Sequence, residues 1–588
     1  MAAPFDLVVR GGTVIDGSGT DPFVADVAVV GAHIAAVGRR LGSGREEIDA
    51  TDRLVTPGFV DVHTHYDGQV TWSDDLTPST WNGVTTVVTG NCGVGFAPCR
   101  PGDRESLIEL MSGIEDLPEP VLAAGVPWSW ETFDGYLGFL ERRSFDADVC
   151  ALVPHAPVRV FAMGERALRG ERATEEDRRA MHLLVGGAVR AGAFGVSTTL
   201  MPHHVSSRGV SSPSIAADEA ELVELASGVG TAGRGVVEVV MDFGDGRNAG
   251  HLDRFRLLPK LAAAANRPVL FSLVKRNVDP PEIVVDLREA AAAATRQGHV
   301  VRPVVAPRAI GLILGHRTSY HPFSGTRTYR SLRDLPLPER LGALRDPVVK
   351  ARILADDPAE LSPYPLLQRL RWEHTFPVSE TIDYAPPPGD SFAARGARER
   401  RDPREVAYDH LLRDDGTAFI YAAVANFDED DLATSESMLA DPNTLVGLGD
   451  GGAHVGLIQD ANFPTFLLGY WGRQRERFRC EDLVRRLTLD GASVMGLTDR
   501  GMVRPGLRAD LNVIDWDEIG FGPLHPVADL PGGGQRLMQR TRGIDVTVVA
   551  GRPTYRGGEP TGARPGRLVR SGVVSSAAGT MARPTREV

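Results

Sequence analysis

The sequence predicts an α/β fold: a (β/α)8 barrel with a small β-sandwich formed from both termini. Three observations carry that expectation. Strand-like and helix-like segments alternate through the middle of the chain, short strand-like segments without a helical period sit at both ends, and the central strands run out into polar side chains. At 588 residues the chain has room for such a barrel and a second unit, each with its own core.

Composition narrows the class of partner. Hydrophobic content of 42% and charged content of 24% are those of an ordinary globular protein. The net charge of −13, from 64 basic and 77 acidic residues, speaks against nucleic acid and anionic membranes, which want clustered positive charge. Cys92, Cys99, Cys150 and Cys480 are too few and too scattered for a disulfide scaffold. With no basic-then-apolar leader and no run of eighteen apolar residues, a cytoplasmic protein is expected.

In chain order, Phe5–Arg10, Thr13–Gly19, Ala25–Val30 and His33–Val37 read as short strands, and Ala509–Asp515 and Val546–Pro553 repeat the pattern near the other end. Either set alone makes a poor core, so 1–57 and 501–570 are expected to pair into one domain. Between them, Val84–Val88 leads into Asn91-Cys92-Gly93, and Asp148–Val153 into Pro154-His155. Thr174 caps a helix whose first turn carries Glu175, Glu176 and Asp177, where carboxylates suit the positive end of the dipole. Phe194–Thr199 follows as a strand. Asp218 caps the next helix, and Gly235–Val240, Pro268–Val274, Val301–Val305 and Thr444–Leu448 continue the series. The central region, 58–500, exceeds the usual barrel length of about 250 residues, so insertions are expected at about 93–145 and 315–410. The second, rich in proline, reads as a flap over the barrel mouth; 571–588 reads as a disordered tail.

Chemistry is concentrated at strand ends. After Pro57-Gly58, the segment Phe59–His65 alternates apolar with polar residues, a strand pattern that sets Asp61, His63 and His65 on one face. Two imidazoles held by one rigid strand can share a metal ion. Asp450 follows the last strand within Gly449-Asp450-Gly451-Gly452-Ala453-His454, where a carboxylate can bind a metal or take a proton from bound water. Cys92 ends another strand, as a soft thiolate ligand suited to zinc or as a small buried thiol.

Together, Pro57–His65, the Gly90-Asn91-Cys92-Gly93 turn, Asp450 and the closing Pro505-Gly506-Leu507-Arg508-Ala509-Asp510-Leu511 resemble the amidohydrolase superfamily. Within it, the Asn-Cys-Gly turn is similar to that of the N-acyl-D-amino-acid deacylases, or D-aminoacylases. The resemblance spans about residues 5–560 and implies a TIM-type barrel and a zinc-dependent hydrolase of N-acyl-D-amino acids. Carried over by position, it implies that His63, His65 and Asp450 are metal ligands, Asp450 also the general base, and Cys92 the cysteine ligand.

The chain departs from that pattern at two places. The deacylases carry further histidine ligands on the fifth and sixth barrel strands; here Gly235–Phe243 and Pro268–Lys275 hold none, although Lys275 matches a lysine the family places just after its histidine. One divalent ion at most is therefore expected, zinc first, with Mn2+ or Fe2+ as alternatives. His155, after a strand, and His321, on the flap, are candidates to complete the site or steady an oxyanion, alongside His203 and His204. Asp242 and Lys275 are expected at the mouth, as an ion pair or with Lys275 on a substrate carboxylate, and His454 is a further substrate-binding candidate. The expected reaction is hydrolysis of a small molecule's amide-type C–N bond. The alternatives are a one-metal enzyme acting on a cyclic amide or catalysing cyclisation or decarboxylation, and a non-catalytic barrel acting as a partner subunit. Self-association is left open.

Overall fold

The computed structural model describes residues 4–244, 250–356, 367, 370–427 and 431–572. Apart from Ser571 and Gly572, the expected tail lies outside them.

Phe5–Val14 is one strand rather than two, because a register shift between Val9 and Gly12 lets it run through the Gly-Gly pair. It pairs antiparallel with Phe23–Val30 and parallel with Gly44–Asp49 and Leu54–Pro57. Leu54–Pro57 pairs in turn with Leu511–Ile514, and Ile544–Val549 and Arg552–Arg556 extend the same nine-stranded sheet. The two ends of the chain therefore share a sheet, and Leu7, Val9, Val27, Val55, Leu511 and Val548 fill its own core. Two elements had left no mark in the sequence pattern: Gly44–Asp49 and the hairpin Gly520–Leu530 with Gly534–Arg542. Gly44–Asp49 is polar and largely exposed, the hairpin's first strand is broken up by Gly522, Pro523 and Pro526 and mostly half-buried, and its second strand buries polar as well as apolar residues, so no apolar alternation announces them.

The parallel strands follow in order: Phe59–Asp61, Val84–Thr89, Asp148–Ala151 continued by Val153–Pro154, Gly195–Leu200, Val236–Met241, Val269–Ser272, Val301–Val305 and Leu445–Val446. The first three pair as one sheet and the rest as another, the third strand changing sheets at Leu152. Their side chains divide between two cores. Val60, Val88, Leu152, Val236, Leu270, Val304 and Leu445 pack with one another, while alternate residues such as Val87, Val153, Val237 and Val305 pack in the larger core that also takes the helices. Thr174 closes a capping box with Asp177 at the head of Glu175–Ala191, and Asp218 caps Glu219–Ala232.

The first insertion supplies the helices Arg104–Glu115, Glu119–Gly125 and Phe133–Glu141. The segment expected as a flap from about 315 is entered by the strand Ile310–Gly315, which pairs with Phe419–Ala425 and through it with Thr375–Pro377. Ile313 packs in the main core, whereas its neighbours Leu312 and Leu314 join Phe323, Tyr329, Phe392 and Tyr408 in a separate flap core. Among the described residues, no helix is long and apolar enough to cross a membrane.

Candidate metal centre

The first parallel strand stops at Asp61 instead of reaching His65. Asp61 itself turns the chain: its Oδ1 accepts the His63 N–H at 3.1 Å, a short side-chain-to-backbone turn. Asp61 thus supports the histidines rather than sharing their face. Thr64 donates its amide and its hydroxyl to the Val88 carbonyl, at 3.0 and 2.7 Å. Two more backbone bonds join this turn to the loop after the last strand: Asp450 N–H to the His63 carbonyl at 3.1 Å, and His65 N–H to the Gly451 carbonyl at 2.8 Å.

That stitching brings four expected ligands together. His63 Nε2 lies 3.4 Å from Asp450 Oδ1 and 3.5 Å from Cys92 Sγ, and His65 Nε2 lies 3.7 Å from the same Asp450 oxygen. Ligand atoms of His63, His65 and Cys92 all fall within 4.8 Å of one another. Cys92 (φ 55°) and Asp450 (φ 46°) both sit in the left-handed region, an uncommon setting for a side-chain-bearing residue and one that persists where surroundings over-determine it.

Two carboxyls that the sequence reading passed over belong to the same cluster. Glu238, in the fifth strand, places Oε1 3.8 Å from His63 Nδ1 and accepts the Cys92 N–H on Oε2 at 3.2 Å. Glu115 ends the first insertion's helix, with Oε1 3.5 Å from His65 Nδ1 and Oε2 3.6 Å from His454 Nε2. A glutamate inside a valine-rich strand was the available signal for Glu238; nothing local marked Glu115, which the fold carries in from an insertion.

Burial governs the electrostatics. It pushes Asp450 and Glu115 well above the usual carboxyl range and Glu238 up to about 8, and Asp450's charge adds to the rise of both glutamates. Burial also raises the Cys92 thiol, with Glu115, Glu238 and Asp450 adding to it, and lowers His63 to about 3 and His65 well below the ordinary imidazole value. Neutral imidazoles with clustered carboxyls and a thiol are the donor set that a divalent cation satisfies. His63 Nε2 and His65 Nε2 face Asp450 Oδ1, and His63 Nε2 faces Cys92 Sγ, all at 3.4–3.7 Å, so the residues present fit such an ion.

The remaining candidates lie differently. His155 is fully buried, with Nδ1 2.8 Å from the Thr198 hydroxyl and Nε2 3.0 Å from Glu221, which also pairs with Arg159 at 2.7 Å. Both ring nitrogens are engaged, which leaves none for an oxyanion. His321 packs edge-to-face on Tyr329 beside the flap core, its Nδ1 accepting the Phe323 N–H at 3.2 Å. Asp242 pairs with Arg254 and Arg276. Lys275 is buried, its backbone N–H on Asn426 Oδ1 at 2.8 Å. His204, half-buried and bound to the Thr199 hydroxyl at 2.9 Å, lies near enough to act electrostatically on both His63 and His65. A cavity of about 20 Å3, room for roughly one water, opens beside Asp450, Gly451 and Asp460. A cleft of about 450 Å3 lies elsewhere, between Ser379–Tyr384, Thr465–Gln474 and the Gly520–Arg542 hairpin, and touches none of the four expected ligands.

The profile described as Amidohydrolase family matches residues 46–555. A D-aminoacylase of Alcaligenes xylosoxydans xylosoxydans is 26% identical over 577 residues, covering 96% of this chain and 98% of the relative. An N-acyl-D-aspartate deacylase of the same organism is 28% identical over 583 residues, covering 97% and 96%. Among solved structures, the N-acyl-D-glutamate deacylase of Bordetella bronchiseptica, in complex with zinc and a phosphonate inhibitor, superposes with a TM-score of 0.62 at 23% identity, over 96% of this chain and all of that one.

Proposed function

The chain belongs to the amidohydrolase family, and from that premise we propose that it removes the acyl group of an N-acyl-D-amino acid with one divalent ion held by His63, His65, Asp450 and Cys92. That it is a metal-dependent hydrolase of a non-peptide C–N bond follows from the family and its relatives. The proposal concerns the substrate, the ligands and the count of ions. One observation carries it: two imidazole nitrogens, a thiol and a carboxylate from separate strand ends converge within a few ångströms. On the same reading the parallel strands close into a (β/α)8 barrel and the two chain ends form a sandwich unit beside it.

A divalent ion in such a site polarises a carbonyl and draws the pKa of water toward neutrality. The rest falls to the chain. His63 and His65, kept neutral by burial, present lone pairs. Asp450 is the ligand whose side chain retains some exposure, 23%, so it meets the substrate side of the cluster. Its carboxylate takes the proton of the attacking water and returns it to the leaving nitrogen. Lys275 and His454 contact the substrate's polar groups, and Asp242 steadies Arg276. A thiol and imidazoles together favour zinc over a harder ion.

The test is metal analysis with turnover. Purified protein is expected to carry about one zinc per chain, to lose activity on N-acetyl-D-amino acids after chelation and regain it on zinc addition, and to spare the L-enantiomers. Absence of stoichiometric metal, together with unchanged activity in His63→Ala, would end the proposal.

A further inference from the structure

We propose that Glu238 and Glu115 are positioning residues, each receiving the Nδ1–H of one histidine so that Nε2 of both His63 and His65 stays turned toward Asp450 and Cys92. This rests on the one-ion reading above.

The geometry is the same on both histidines. On His63, Nε2 faces Asp450 Oδ1 at 3.4 Å and Cys92 Sγ at 3.5 Å, while Nδ1 faces Glu238 Oε1 at 3.8 Å. On His65, Nε2 faces Asp450 Oδ1 at 3.7 Å and Nδ1 faces Glu115 Oε1 at 3.5 Å. Each ring thus has one nitrogen toward the common point and the other toward a buried carboxyl. An imidazole whose far nitrogen gives its proton to a carboxylate is fixed in tautomer and rotation, and its near nitrogen becomes a better donor to a metal.

Each glutamate is itself held. Glu238 shares its strand face with Val236, which packs among Leu270, Val304 and Leu445, so its carboxyl leaves an apolar layer and has only the cluster to turn to. Oε2 is anchored by the Cys92 N–H at 3.2 Å, which leaves Oε1 for His63. The His454 N–H donates to the Glu115 carbonyl at 2.5 Å, and His454 Nε2 lies 3.6 Å from Oε2, which leaves Oε1 for His65. Both side chains are about 2% exposed, and in each case Oε1 is buried with no other partner. A buried carboxyl that supports only the fold costs free energy without return. The 3.5 and 3.8 Å separations lie just beyond hydrogen-bond range, and a small side-chain rotation closes them. This arrangement also assigns the fifth strand a function in a chain that lacks histidine there.

The experiment strips the full-length protein with a chelator and titrates Co2+, reading the thiolate and ligand-field absorption bands, for wild type, Glu238→Gln, Glu238→Ala, Glu115→Gln and Glu115→Ala. The alanine variants are expected to bind Co2+ about 10–100-fold more weakly. The glutamine variants, whose amide oxygen still accepts Nδ1–H, should recover part of that loss. Metal-stripped melting temperatures are read alongside, because Glu238→Ala also leaves a cavity and frees the Cys92 N–H; partial rescue of cobalt affinity by glutamine is the readout that a purely structural role would not give. Wild-type affinity in an alanine variant, or equal losses in the alanine and glutamine variants, overturns the inference. If wild type takes up no cobalt, the one-ion reading itself falls; if wild type binds and the variants bind as well, only the positioning role falls.

Discussion

Gly449→Ala tests how rigidly the turn after the first strand is tied to Asp450. A Cβ at Gly449 would lie 2.1 Å from Asp61 Oδ2 and 3.0 Å from the Phe463 ring. Ordinary contact begins near 3.4 Å, so roughly 1.3 Å of space must be found inside a packed interior. Asp61 cannot yield freely, because it is fully buried and its other oxygen holds the His63 N–H at 3.1 Å. Overpacking costs about 1–3 kcal/mol and loss of that hydrogen bond about 1 kcal/mol more, for a total near 2–4 kcal/mol. The functional loss should exceed what the stability loss explains. Asp450 is the next residue, and its N–H bonds the His63 carbonyl, so the clash shifts the proposed base and the proposed ligands together; a displacement of about 1 Å at a reacting group costs on the order of 100-fold in rate. The assay is kcat/KM on N-acetyl-D-amino acids, with metal affinity by chelator competition and a thermal melt. Gly342→Ala is the control: it lies in the flap helix Leu337–Leu344 with open space at its Cβ, and should be neutral or stabilising by up to about 1 kcal/mol. Gly449→Ala protein with kcat/KM and metal affinity within about threefold of wild type would refute the reasoning.

Two further outcomes follow from the same geometry. Arg159→Met strands Glu221 beside His155 in a fully buried site, and is expected to cost about 3–5 kcal/mol by thermal or urea unfolding while kcat per folded molecule holds, since the trio's side chains spend their hydrogen bonds on one another, on Thr198 and on the Glu171 carbonyl. Asp116 and Asp146 should each contribute stability that is lost as pH rises from about 4 to 7, because burial raises Asp116 to about 7 and Asp146 to about 6, so at these two groups the folded chain holds protons that the unfolded chain has already released. Thermal melts of metal-stripped wild type and Asp116→Asn at pH 5 and pH 8 isolate the Asp116 share: wild type should lose more stability, or gain less, between the two pH values than the variant, and equal changes would refute it.

The sequence by itself determined what depends on neighbours along the chain. Apolar alternation and caps at Thr174 and Asp218 located most parallel strands and their helices, and His63-Thr64-His65 with the glycine-flanked Asp450 named candidate ligands from residue chemistry alone. It misjudged the strand holding those histidines, because alternation cannot reveal that the Asp61 carboxylate turns the backbone two residues later. Tertiary structure alone decided which partners converge. Glu115 comes from an insertion and Glu238 from a strand read as lacking a ligand, and both reach the cluster through contacts across the sheet and its mouth. His155 looked well placed at a strand end, yet Glu221 and Thr198, from elements 66 and 43 residues further along, occupy both its nitrogens. A side chain's protonation, its partners and its access to substrate are set by what the fold packs around it, and that information is non-local.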